Sequence, residues 1–157
     1  YGAERMGRLA PEVEAVVGPL VDGNELARRV NVELSAYLSQ VARDEVMTKT
    51  NLALLARHLF RLELWGRTES YVALLIFEGL ARELAIDHEP LLLEGDVVRS
   101  RVAAVYLALS DRNGAELRHA ARRLWARLYG EELPPPRGGP AAELVGHALP
   151  LRDSRCR

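Results

Sequence analysis

Residues 71–86 read YVALLIFEGLARELAI, and no other stretch constrains the fold as strongly. Val72, Leu74, Leu75, Ile76, Phe77, Leu80, Leu84 and Ile86 leave no polar face wide enough for a surface helix. Nor does any run approach the roughly 18 apolar residues of a membrane span. The segment must therefore be wrapped by other parts of its own chain. At 157 residues, 48% of them hydrophobic, the chain is long enough for one domain with a real core. Aromatic residues make up only 6%, so Leu, Val and Ala must build that core.

The wrapping elements are legible as amphipathic helices. Residues 3–17 suit a short first helix, interrupted early by Pro11 and broken by Gly18-Pro19. Asp22-Gly23-Asn24-Glu25 has the form of a helix start, followed by an apolar stripe of Leu26, Val30, Leu34, Tyr37, Leu38 and Val41. Thr48 or Thr50 is expected to cap the next helix, with Leu52, Leu55, Leu59 and Phe60 inward. After residues 71–86 comes a connection over residues 87–95. Asp96 is placed to cap a second, mostly apolar helix over residues 97–109. Asn113 with Glu116 three residues on suggests another helix start, and Gly130 suits the stop of that helix. A Pro-Gly linker from Pro134 leads to a short last helix over residues 141–149. No strand alternation and no internal repeat is present.

The fold class is all-α: two hydrophobic helices as a central hairpin, inside about five amphipathic ones. Residues 1–150 form the single domain and residues 151–157 a tail. The chain opens on Tyr1, so it is expected to be trimmed, which leaves room for a membrane anchor beyond either end. The formal net charge of −1 advertises neither nucleic acid nor an anionic membrane. Twenty of the 21 basic residues are arginine, which first reflects a GC-rich coding sequence. The single cysteine, Cys156, excludes a disulfide framework and fits a reducing compartment.

One set of motifs goes further. Leu59-Phe60-Arg61 and Leu62-Glu63-Leu64 precede Trp65-Gly66-Arg67, and the hydrophobic helix that follows contains Phe77-Glu78-Gly79. Upstream stands Gly23-Asn24-Glu25; downstream stand Ser100-Arg101-Val102 and then Trp125 with Leu128-Tyr129-Gly130. In this order the motifs resemble the homology motifs of the Bcl-2 family of apoptosis regulators, across residues 20–130. Leu64 replaces the family's asparagine, three extra residues lie between Arg67 and Phe77, and the glycine-glycine-tryptophan of the second motif is absent. Such drift is similar to that of viral homologues, and the arginine bias suits a GC-rich poxvirus such as a parapoxvirus.

The resemblance implies a Bcl-2-like bundle and an anti-apoptotic function. The chain would take the amphipathic homology-three helix of pro-apoptotic relatives into a hydrophobic groove, in the host cytoplasm and at the mitochondrial outer membrane. By the match, Leu26, Arg29, Val30, Leu34 and Tyr37 wall the groove from one helix. Leu55, Leu59, Arg61 and Leu64 wall it from the next, with Gly66 and Arg67 at the corner and Val72, Ala73 and Phe77 on the floor. Arg67 would meet the partner's aspartate at the positive end of the central helix. Gly66 would let the partner backbone approach, and Trp65 would pack beneath the corner. No enzyme activity, cofactor or metal is implied.

Two other readings stay open. Some poxviral proteins of this fold lack a working groove and dampen inflammatory signalling instead. Separately, Arg112-Asn113 with His119 resembles the signature of helical HEPN ribonucleases, at a spacing permissive enough for chance. His58, His88, His119 and His147 are scattered without metal-ligand spacing, and no nucleophile, base and orienter set is recognisable. The expected discriminator is an open apolar cleft between residues 26–37 and 55–67, which favours helix capture; a closed one favours the signalling adaptor.

Overall fold

The structure is a computed structural model that describes residues 9–20 and 23–135. Within them lie α1 (Pro11–Val17), α2 (Gly23–Arg43), α3 (Thr48–Phe60), α4 (Thr68–Glu83), α5 (Arg99–Ser110) and α6 (Gly114–Tyr129). The expected cap at Asp22, the helix over residues 141–149, His147, Cys156 and the tail over residues 151–157 fall outside the described residues.

Helix α4 sits at the centre, as its sequence requires. Eleven of its 16 residues are buried, and it packs against α1, α2, α3, α5 and α6. It begins at Thr68, three residues before the expected Tyr71. It ends in a Schellman turn: Ala85 is left-handed at φ 52°, the Ile86 N–H donates to Ala81 O at 2.8 Å, and the Ala85 N–H donates to Arg82 O at 3.2 Å. Ile86 therefore lies beyond the helix.

Helix α5 does not share that centre. Only Val102, Val105 and Leu109 are buried, and Leu107 is 64% exposed. Its substantial packing is against α3 and α4. The hairpin is therefore central in one arm and peripheral in the other. Apolar composition makes burial favourable, but only a neighbouring surface can provide it.

The connection between the two carries a correction. Leu92–Leu93 and Asp96–Val97 pair as a two-residue antiparallel ribbon. Glu94 and Gly95 both take positive φ, 52° and 88°, as a type I′ hairpin turn demands. Asp96 is thus a strand residue, and α5 starts at Arg99 with Val98 as an N-cap that makes no side-chain cap bond. The carboxylate of Glu78 on α4 accepts from the Leu91 N–H at 2.7 Å and ties the connection to the central helix.

Local chemistry explains most helix ends. Pro11 opens α1 instead of interrupting it, since its missing N–H costs nothing at a first position. Neither Thr48 nor Thr50 caps α3. Asp44 anchors its start instead, accepting from the Val46 and Met47 N–H groups at 3.0 and 2.8 Å. These bonds hold its carboxyl below the ordinary aspartate value, the Met47 bond most strongly. The Asn113–Glu116 capping box and left-handed Gly130 bound α6 as expected. Tyr129 of α6 reaches Asn31 of α2, and Arg118 reaches Glu45 beyond the end of α2, so the two helices run antiparallel. Gly79 lets α6 approach α4 closely: a Cβ there would meet Leu124 Cδ2 at 2.5 Å. Among the described residues no helix is long and apolar enough to cross a membrane.

Candidate functional site at the start of the central helix

The corner between α3 and α4 is built from a 3-10 turn, Leu62–Leu64, followed by Trp65-Gly66-Arg67. Gly66 takes φ +87°, a conformation that disfavours any side chain. Nothing lies within 4 Å of where its Cβ would stand, so the backbone turn itself calls for glycine, and the corner is left open to solvent. Trp65 is half-buried, its ring 5.1 Å from that of Tyr71, and so packs beneath the corner as expected.

Arg67 is the N-cap of α4, in extended conformation with no side-chain cap bond. Its carbonyl accepts from the Ser70 N–H at 3.1 Å and from Ser70 Oγ at 2.6 Å. Its guanidinium is exposed and makes no ion pair or hydrogen bond among the described residues. Arg61 differs: it pairs with Glu63 two residues on, which together with backbone bonding holds the Glu63 carboxyl below its ordinary value.

His58 lies on the last turn of α3, with the charges of Arg67 and Glu69 acting on it from the start of α4. Its Nδ1 is buried and has no hydrogen-bond partner among the described residues. Burial pushes its imidazole pKa below the ordinary value. Glu69 opposes this, while Arg57 and Arg67 add to it.

The expected groove walls divide into two groups. Val30, Leu34, Leu59, Val72, Ala73 and Phe77 are wholly buried, and Leu55 is 2% exposed. Leu26, Tyr37 and Leu64 are half-buried; Arg29, Arg61, Gly66 and Arg67 are exposed. The apolar lining is thus core, closed by contact of α2, α3 and α4 with one another. Phe77, placed on the groove floor by the match, stacks on Tyr106 of α5 at 6.1 Å. Phe60, expected to face inward, is 38% exposed and meets the same Tyr106 edge-on at 6.4 Å. Apolar stripes bury whatever surface they can reach, so a stripe read from sequence does not distinguish groove from core.

What remains open beside the corner is a shallow depression of about 320 Å³, lined by Arg28, Arg29, Val32 and Glu33 of α2 and by Thr68 and Glu69 of α4. Of these only Arg29 is legible from the match. Val32 could have signalled the rest, since it is an apolar residue off the buried stripe and stays 42% exposed.

The ribonuclease signature is engaged elsewhere. Asn113 belongs to the capping box, Arg112 lies 3.8 Å from Glu116, and His119 is exposed. Among the described residues no three His, Cys, Asp or Glu side chains gather as metal ligands. No protein-family model, curated protein or solved structure matches the chain.

Proposed function

We propose that the chain is a Bcl-2-like, anti-apoptotic helix-binding protein of viral type. It acts in the host cytoplasm and at the mitochondrial outer membrane, and it sequesters pro-apoptotic relatives by their amphipathic homology-three helix. One observation carries this reading. Among the described residues, the exposed Arg67 guanidinium stands without a partner at the N-terminus of a helix that is mostly core. An incoming carboxylate there would meet both the guanidinium and the positive helix end. The buried walls add a condition: α2 and α3 must part before apolar anchors can enter. Each large anchor contributes about 1.5–3 kcal/mol when buried. Opening costs are subtracted from that sum, so affinities should lie toward the micromolar side.

Calorimetric titration with a panel of homology-three peptides tests the proposal, with Arg67→Ala in parallel. Because Arg67 is exposed, its loss should weaken binding by about 1–2 kcal/mol, roughly five- to thirtyfold in Kd. Failure of every peptide to bind would sink the reading. The second reading, an adaptor that dampens inflammatory signalling without groove binding, draws on the closure of the Val30, Leu34, Leu55 and Leu59 walls. It expects no peptide binding, and capture of signalling proteins instead.

A further inference from the structure

The depression beside Arg67 carries charges that the fold itself does not use. Arg28, Arg29 and Glu33 are exposed and form no ion pair or hydrogen bond among the described residues. Arg29 and Glu33 stand four residues apart, the spacing at which a helix normally lets such side chains pair. They remain separate, about one helical turn of 6 Å apart along the axis of α2, with the exposed Val32 beside them. The α4 side of the same hollow offers the hydroxyl of Thr68 and the carboxylate of Glu69, which also has no ion pair. Along α2 the cations Arg28 and Arg29 thus precede the apolar Val32 and the anion Glu33 by about one turn, with Thr68 and Glu69 lining the hollow from α4.

We infer that this depression reads the polar flank of a partner helix and fixes the direction in which it lies. An acidic side chain sits against Arg28 and Arg29, an apolar one against Val32, and a basic one about a turn away against Glu33. This rests on the helix-capture reading and adds to it a demand on the partner: an acid and a base in one order, not merely a single acid facing Arg67. Complementary rim charges mainly set specificity and register, and like charges brought together by the wrong order are penalised.

The test uses two synthetic amphipathic peptides of identical composition that differ only in the order of one acid and one base, a turn apart on the polar flank. They are titrated into the full chain and into a double variant, Arg29→Glu with Glu33→Arg. Both positions are exposed and the net charge is unchanged, so circular dichroism of the variant should match that of the parent. The parent should prefer one order by about fivefold or more, and the double variant should invert that preference. The difference should shrink at high salt, since exposed charges are screened. Equal affinity of the parent for both orders, with Arg67→Ala still weakening binding, would overturn the inference and leave helix capture standing. An exchange of charges that leaves the preference unchanged would overturn it equally. Absence of binding by either peptide to the parent would overturn both.

Discussion

Gly79→Ala is the sharpest test of how the central helix is packed. An added Cβ would lie 2.5 and 2.7 Å from the two Cδ atoms of Leu124 and 3.2 Å from its Cγ. The first two are closer than carbon atoms can rest, and the third is tight. Leu124 is 1% exposed, so its side chain has nowhere to swing without moving α6 away from α4. Overpacking of this kind costs about 1–3 kcal/mol. The change also removes a helix-interior glycine, which by itself favours the helix by roughly 1 kcal/mol. The two terms leave a net loss of about 0–2 kcal/mol. At about 2–4 °C per kcal/mol for a domain of this size, Tm should fall by up to roughly 8 °C. Urea denaturation followed by circular dichroism gives the free energy and thermal melting gives Tm. A double-mutant cycle identifies the cause. Leu124→Ala alone should cost about 2–5 kcal/mol through its cavity. Combined with Gly79→Ala, the loss should be smaller than the sum, because the new methyl partly fills the void. A Gly79→Ala protein more stable than the parent by about 1 kcal/mol, the full helix-propensity gain, would mean that α4 and α6 do not approach at this point.

Two further outcomes follow from the corner beside Arg67. Gly66→Ala should cost about 1 kcal/mol from backbone strain alone, because φ is +87° and no neighbour is near enough to clash; an unchanged unfolding midpoint would show that the turn is not left-handed. His58 should impose a pH dependence: burial holds its folded pKa below the ordinary imidazole value, so the unfolded chain binds the proton more readily. Stability from this group is then complete above the unfolded value of about 6.5 and declines as pH falls from there through the folded value. Denaturation midpoints across that window should drop in the parent and flatten in His58→Gln; parallel curves would remove His58 as the cause.

Legibility follows the range of the interaction involved. The α6 boundaries can be read because Asn113, Glu116 and Gly130 act within a turn of themselves. The centrality of α4 can be read because a segment apolar on nearly every side must be enclosed by its own chain. The corner with Gly66 and Arg67 can be read from its motif, and its glycine serves the left-handed backbone turn. The Leu92–Val97 ribbon escapes a sequence reading because its only signal is Glu94-Gly95, a weaker relative of the Asn-Gly and Asp-Gly turns. Asp44 is hard to recognise as a cap because it stands four residues before the helix it anchors.

The sequence alone determined that the chain is helical, where α6 begins and ends, and that residues 71–81 must be enclosed, because capping, turn geometry and apolar periodicity are local properties of the chain. Only tertiary structure decided which surfaces do the enclosing. It left α5 at the edge with Leu107 in solvent, sealed Val30, Leu34, Leu59 and Phe77 into the core, and left Arg28, Arg29 and Glu33 as charges lining an open hollow. The reason is that hydrophobic burial has no direction: a stripe records how much apolar surface a helix must hide, and only the packed neighbours determine against what.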